Sequence, residues 1–322
     1  MKKLAIIGAS GLVGQTILDV LFEENLMNEF DITLVVSNKS LGKQVMYGNK
    51  IFRYVLLNER LLQQNFDYAI FSSGDEVSKE WVSKFAERGS IVIDNSNAFR
   101  REKTIPLVVP EINFNSIKNN DKIISNPNCS TIQLVVVLEK LLKLSKMKDV
   151  VVSSYQSVSG AGKDALLDLK NKTNNYFDVS IYCNIIPQIG SALENGFCTE
   201  EDKIMFETNK ILNDKLNVVA TTVRVPIPYC HGESVYVRFE KEVDFENIKD
   251  VIKCDYIDVC DELIYPEECV KSNKTYVFRL RKVSNKEIVF FVLANNLRRG
   301  AAYNAVEILR KLIENNWKLQ KI

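Results

Sequence analysis

A single cysteine stands in the run NPNCSTIQ (126–133), between an asparagine–proline turn and an apolar stretch with helical spacing. A thiol at a helix start meets the positive end of the helix dipole, which favours the thiolate, the form that attacks carbonyl carbon. Asn128 and Ser130 place short hydrogen-bonding side chains on either side of Cys129. The other six of the seven cysteines, at 183, 198, 230, 254, 260 and 269, fall in strand-like or loop-like sequence without such a placement. Taken alone, the local sequence suits a buried inert thiol as well as a nucleophile. Thiol chemistry also needs a group that moves protons near neutral pH, and imidazole is the ordinary choice. The chain has one histidine, His231 in PYCHGES (228–234), so any histidine acid/base must be this one. A lone histidine is more often a structural residue. An odd cysteine count, no C-x-x-C pair and one histidine argue against a zinc site, so no metal is expected.

A second constellation opens the chain. GASGLVG spaces Gly8, Gly11 and Gly14 between a strand-like run and a helix-like one. Glycines there permit a tight turn and close backbone approach, while the helix start at Ser10, Gly11, Leu12 and Val13 offers amide donors to a pyrophosphate. The alternative is a strand–helix turn that binds nothing. A dinucleotide site for NAD carries an acid at the end of the second strand, but the sequence there is VVSNKSLGK (35–43). Ser37, Asn38, Lys39 and Ser40 suit a 2′-phosphate better than a bare ribose, so NADP(H) is the expected cofactor. A solvated polar loop would read the same way.

The elements that must position these groups follow from periodicity. Strand-like runs at 2–8, 31–37, 67–73 and 90–96 alternate with helix-like ones at 14–24 and 76–89; apolar runs at 106–111 and 121–126 could extend the sheet. Such alternation predicts a Rossmann-type, doubly wound parallel sheet, hence an α/β protein. After a helix at 130–144 come a strand running into a small-residue turn at 149–162 and longer strands at 217–227, 233–243, 274–283 and 287–296, which predict a second, α+β domain. An amphipathic helix at 300–317 closes the chain. The expected division is 1–128 with the tail 297–322 for the dinucleotide, and 129–296 for catalysis. Forty-two basic residues against forty-one acidic ones, net +1, give no reason to expect nucleic acid or an anionic membrane as partner. The apolar start is too short for a signal peptide, and no run reaches the ~18 apolar residues of a membrane span. A cytoplasmic location with reduced thiols is expected.

The chain resembles the aspartate-β-semialdehyde dehydrogenase family from end to end. The likeness is carried by GASGLVG, IVIDNSNAFR (91–100), PLVVPEIN (106–113), NPNCSTIQ, SSYQSVSGAGK (153–163), NIIPQIG (184–190), FETNKIL (206–212), TVRVPIPYCHGE (222–233) and NNLRRGAA (295–302). The resemblance implies NADPH-dependent conversion of aspartyl-4-phosphate to the semialdehyde and phosphate, serving lysine, threonine, methionine and diaminopimelate synthesis. It implies Cys129 as nucleophile, His231 as acid/base and Gln156 orienting the acyl group. Arg224 would clamp the α-carboxylate and Glu207 the α-ammonium, while Arg100, Asn128 and Lys210 would hold the phosphate. Ser159, Gly160 and Asn296 would border the nicotinamide, and the second domain would form a homodimer or homotetramer. Three positions depart from the family pattern: Gly232 after the histidine, SSGDE at 72–76, and Asn38-Lys39. N-acetyl-glutamyl-phosphate reductases and glyceraldehyde-3-phosphate dehydrogenases carry different cysteine contexts. Acyl-CoA reduction by a related enzyme, and a non-catalytic NADP sensor on the same fold, remain as alternatives.

Overall fold

Strand β1 (Lys2–Ile7) sends Leu4 and Ile6 into one apolar cluster and Ala5 and Ile7 into another. β2 (Phe30–Val36), β5 (Tyr68–Phe71) and β6 (Ile91–Asp94) repeat the pattern, as Leu34, Ile70 and Ile93 join the first cluster and Val35, Phe71 and Val92 the second. Successive side chains of a strand point to opposite faces, so a run apolar at every position is a strand covered on both sides. The covers are helices. On one face lie α1 (Leu12–Glu23) and the C-terminal helix described below, and on the other α2 (Asp75–Glu87) with Trp81, Val82 and Phe85.

These elements belong to the computed structural model of the chain, which describes residues 1–315. By backbone contacts the chain divides into two compact units: Met1–Pro127 with the stretch from Ala301, and Asn128–Gly300. The chain passes between them at 127/128 and 300/301, against the 128/129 and 296/297 expected.

The first unit holds a seven-stranded sheet. Its remaining strands are β3 (Gln44–Tyr47), β4 (Lys50–Leu56) and β7 (Ile123–Ser125), and the order is β3-β4-β2-β1-β5-β6-β7. All neighbours are parallel except β3 and β4, a hairpin turning at Gly48 with φ +57°. The run at 106–111 adds no strand. Leu107 makes one parallel bridge to Ser125, and Pro110 then starts the single-turn helix α3 (Pro110–Asn113), proline being favoured at that position because it has no N–H to lose.

The second unit begins with α4 (Cys129–Leu142) and β8 (Met147–Gln156), then α5 (Lys163–Asn171) and α6 (Thr199–Leu212). β9 (Asn217–Arg224), β10 (His231–Phe239), α7 (Ile248–Ile252), β11 (Ile257–Val259), α8 (Pro266–Cys269), β12 (Thr275–Ser284) and β13 (Glu287–Ala294) complete it. Its six-stranded mixed sheet has the order β11-β12-β13-β10-β8-β9, with β10 antiparallel to both β8 and β13. α4 lies against β8, β10 and β13. A π-helical turn at Arg298–Ala302 leads into α9 (Tyr303–Glu314), which buries Val306, Leu309 and Leu312 in the first unit. Residues 316 and 317 of the expected tail helix lie outside the described residues.

Candidate active site

In the first unit the chain leaves β1 through a turn that only glycine fits. Gly8 has φ +81°, and a Cβ there would lie 2.7 Å from the Ser72 carbonyl oxygen; one at Gly14 would lie 2.3 Å from the Gly8 carbonyl oxygen. The Gly8 N–H donates to Val35 O at 2.9 Å and the Gly11 N–H to Gly8 O at 2.9 Å, which fixes the loop against β2. α1 then starts at Leu12 with no side chain capping its amides. An uncapped helix start behind a glycine loop is a cradle for a phosphate anion. It opens into a cleft of about 430 Å³, lined by Gly8, Ser10, Gly11, Ser37, Asn38 and Ser72 among others, with no carboxylate on its wall. Leu12 and Val13 form the first turn of α1. Lys39 and Ser40 follow in a single 3₁₀ turn beyond the lining, Lys39 exposed. These groups fit a dinucleotide. Arg100 is also in this unit, buried, donating from Nη2 to Asn95 O at 2.8 Å beside the Asp94 carboxyl.

The second unit holds the thiol. Cys129 is the first residue of α4, and Asn128 caps the helix: its Oδ1 accepts from Ser130 N–H at 2.9 Å and Thr131 N–H at 3.3 Å. Two carboxylates of α6 hold Asn128 in turn. Its backbone N–H donates to Glu207 Oε2 at 2.7 Å, and its Nδ2 donates to Glu200 Oε1 at 2.8 Å. From the other side Gly300, in the π-helical turn, presses on Cys129; a Cβ there would sit 2.8 Å from the Cys129 Cβ. π-helical turns gather at functional sites for this kind of local adjustment.

His231 opens β10 and is fully buried. Its Nδ1 accepts from the Ser157 backbone N–H at 3.0 Å, with Ser157 Oγ at 3.1 Å. An N–H cannot accept, so in the neutral ring the proton sits on Nε2. Burial, and then the Arg224 cation, push the His231 pKa down to about 3, so the ring is neutral at physiological pH. A Cβ on Gly160 would lie 2.9 Å from Arg224 Nη1 and 3.1 Å from His231 Nε2, so glycine is what lets the backbone pass close to both. Asn296 ties the region together: Oδ1 accepts from Ser157 Oγ, Ser159 Oγ and the Cys230 N–H, and Nδ2 donates to Ser159 Oγ at 2.9 Å. Cys230 takes φ +72°, a strained value for a residue with a side chain, at the step into His231.

Arg224, the last residue of β9, donates from Nη1 to Ser157 O at 2.8 Å and feels the charges of Glu200 and the Cys129 thiol. Gln156, the last residue of β8, donates from Nε2 to Ser154 Oγ and Glu200 Oε1, each at 3.3 Å. Glu200 is therefore the hub that sequence reasoning missed. Burial raises its pKa, but Lys203, whose Nζ lies 3.1 Å away, the Asn128 amide and Arg224 outweigh burial and hold it below the usual carboxylate range. The signal was present: E-x-x-K occurs twice on one face of α6, at 200/203 and 207/210. The structure sets the first pair beside Gln156 and Arg224 and uses Glu207 to hold the Asn128 backbone. Lys210 lies one turn further along, partly buried. The second unit thus brings together Cys129, Asn128, Gln156, Arg224, His231, Ser159, Gly160 and Asn296.

Residues 3–120 match the family described as semialdehyde dehydrogenase, NAD binding domain, and residues 138–299 the family described as semialdehyde dehydrogenase, dimerisation domain. The chain is 40% identical to the aspartate-semialdehyde dehydrogenase of Aquifex aeolicus, over 97% of this chain and 98% of that protein. It is 40% identical to the enzyme of the same name from Campylobacter jejuni, again over 97% and 98%. Among solved structures, aspartate semialdehyde dehydrogenase II of Vibrio cholerae, complexed with ASA, superposes with a TM-score of 0.93 at 37% identity over 98% of this chain and 99% of that one. The Candida albicans enzyme with NADP superposes at 0.79 and 24% identity over 98% and 99%, a likeness of fold.

Proposed function

This chain belongs to the aspartate-semialdehyde dehydrogenase family, and from that premise we propose that it reduces L-aspartyl-4-phosphate to L-aspartate 4-semialdehyde and phosphate through a thioester on Cys129. One observation carries the reading of substrate: a buried carboxylate, Glu200, and a buried guanidinium, Arg224, flank Gln156 beside the thiol. That pair is complementary to an α-ammonium and an α-carboxylate on one small molecule, a planar guanidinium fork being apt for the carboxylate. In this reading the ammonium role expected of Glu207 passes to Glu200, and Lys203 joins Asn128, Arg100 and Lys210 as a candidate for the phosphate.

The Cys129 thiolate attacks the acyl carbon, the C–O bond to phosphate breaks, and a thioester forms on Sγ; the proton given up by the thiol leaves with the phosphate. Charge develops on the acyl oxygen, and His231 offers it the Nε2 proton as a hydrogen bond. Its Nδ1 is already engaged by Ser157 N–H, so of the acid/base role expected for His231 the geometry supports the acid half. A reduced nicotinamide nucleotide, bordered by Ser159, Gly160 and Asn296, would supply the hydride that the thioester carbon takes up. The hemithioacetal oxyanion then expels Sγ as thiolate and frees the aldehyde. In the cleft of the first unit, Ser37 and Asn38 on the wall, Lys39 and Ser40 just beyond and the absence of a lining carboxylate favour NADPH over NADH.

The same reading places the protein in the cytoplasm, in lysine, threonine, methionine and diaminopimelate synthesis. No described helix is long and apolar enough to cross a membrane. It also predicts a homo-oligomer. Val151, Tyr155 and Val219 stand exposed on one face of the second unit's sheet, next to an apolar hollow lined by Tyr155, Phe278, Phe291, Leu263 and Tyr265, a surface suited to a second copy of the chain. The test is phosphate-dependent reduction of NADP⁺ by aspartate semialdehyde, on wild type and Cys129→Ser. Activity that falls by a factor on the order of 10³ or more in the variant supports both substrate and nucleophile. An inactive wild type, or an unaffected variant, overturns the reading.

A further inference from the structure

Directly behind the thiol site lies a carboxyl group that no step above uses. Glu233 is two residues beyond His231 on β10, and so on the same face of the strand. It is fully buried, and neither carboxyl oxygen has a hydrogen-bond partner within bonding distance among the described residues. The residues paired with it on the adjoining strands, Ser154 on β8 and Val292 on β13, bring no charge. The polar group close enough to act on it is the side chain of Gln133. Gln133 sits four residues after Cys129, one turn along α4, and is itself fully buried. Its Nε2 donates to the His231 backbone carbonyl at 3.1 Å, while its Oε1 has no donor.

Two groups without a hydrogen-bond partner among the described residues thus lie on elements in contact: the Glu233 carboxyl on β10 and the Gln133 amide oxygen on α4. An ionised carboxylate sealed from water without a cation is among the costliest arrangements in a folded interior. A carboxylic acid there has an O–H to give, and Gln133 Oε1 is the acceptor that lacks one.

We propose that Glu233 and Gln133 are a positioning pair: Glu233, as a neutral acid, donates its O–H to Gln133 Oε1, which locks the carboxamide so that Nε2 holds the His231 carbonyl. The pair ties α4, which carries Cys129, to β10, which carries His231, through one hydrogen-bonded chain at their contact. Neither residue touches substrate. Their effect is on the distance and angle between the thiol and the imidazole, where a shift of about 1 Å costs up to ~100-fold in rate. Burial also pushes the Glu233 carboxyl well above its ordinary range, against a smaller opposing effect of the Gln133 side chain.

The inference rests on the proposed thiol chemistry, and its test separates the two. In the full-length protein, kcat and KM for aspartate semialdehyde are measured together with the pH profile of Cys129 alkylation, which needs no substrate. Gln133→Met keeps the volume and removes the amide. It is expected to lower kcat roughly 10- to 100-fold with KM within about threefold, and to displace the alkylation profile. Glu233→Gln restores a neutral donor to Gln133 and is expected to keep kcat within about fivefold with the wild-type profile. If Gln133→Met does not fold, Gln133→Asn, which retracts the amide by one carbon, takes its place with the same expectation. Wild-type kcat and profile in the Gln133 variant, or a Glu233→Gln loss as large as that of Gln133→Met, would overturn the pairing. A wild type inactive on the semialdehyde refutes the functional reading alone, because the alkylation profiles still decide the pair.

Discussion

The two candidate sites of this chain are made of different material. The cleft in the first unit is built from main chain: a glycine turn, an uncapped helix start and carbonyls that leave no room for a Cβ. The thiol site in the second unit is built from side chains, nearly all buried and each held by another: Glu200 by Asn128, Gln156 and Lys203, His231 by Ser157, and Ser157 by Asn296. A main-chain site tolerates most substitutions that keep its glycines. A side-chain site of this kind has few neutral positions, because removing one member leaves a buried partner unsatisfied.

The contrast breaks most visibly at Gly8. Gly8→Ala adds a Cβ at φ +81°, 2.7 Å from a backbone oxygen that cannot yield cheaply. Nucleotide affinity is expected to fall roughly 10- to 100-fold, from lost backbone contacts worth about 1–3 kcal/mol. Alkylation of Cys129 should be unchanged. A matching loss of thiol reactivity, seen in the same titration, would show that the sites are not separate in kind.

A smaller effect distinguishes the two glutamates of α6. Glu200→Gln keeps an acceptor for Asn128 and Gln156 but loses the charge, and should cost roughly tenfold in kcat/KM through KM. Glu207→Gln weakens the hold on the Asn128 backbone and should act on kcat with KM little changed. Steady-state kinetics on both decide which turn of the helix meets the substrate; KM effects confined to Glu207→Gln would reverse the assignment.

His231 gives a pH signature that the glycine loop cannot. Its folded pKa, about 3, lies below the ordinary 6.5. Between those values the unfolded chain takes up a proton that the folded chain refuses, so stability falls as pH drops from 6.5 towards 3. The slope is at most about 1.4 kcal/mol per pH unit and vanishes above 6.5. Chemical denaturation of wild type and His231→Asn over this range should show the slope reduced in the variant, and equal slopes would place the burial of His231 in doubt. The smallest effect expected is at Lys39. It lies exposed beyond the cleft wall, so Lys39→Ala should lower the NADPH/NADH preference only a few-fold, in keeping with one solvent-screened charge.

What could be read from sequence follows the same division. Gly8, Gly11 and Gly14 announce their turn because only glycine reaches φ +81° or leaves room for a passing carbonyl, and that constraint is local. The central strands β1, β5 and β6 announce themselves by nearly unbroken apolar runs, and Cys129 by the asparagine before it and the apolar period after it. Glu200 was legible only as one of two equivalent candidates. E-x-x-K at 200/203 and at 207/210 present the same chemistry on one helix face, and which turn meets Gln156 is decided by how α6 packs on β9 and α4. The pairing of β4 with β2 and the bridge at Leu107 were likewise set by neighbours distant in the chain. Nor could any local pattern show that Glu233 is sealed from solvent.

Gly300, pressed against Cys129, is the final residue of the second unit, and Cys129 is that unit's second residue. The segment 128–300 therefore starts and finishes at a single point, as an insert with its ends pinched together. Bodies of that topology can be gained, exchanged or circularly permuted in evolution without rerouting the chain that hosts them. Here the two ends meet at Cys129. A lineage that replaced the insert would exchange Cys129, His231 and Arg224 in one event and leave the glycine-loop cleft unchanged.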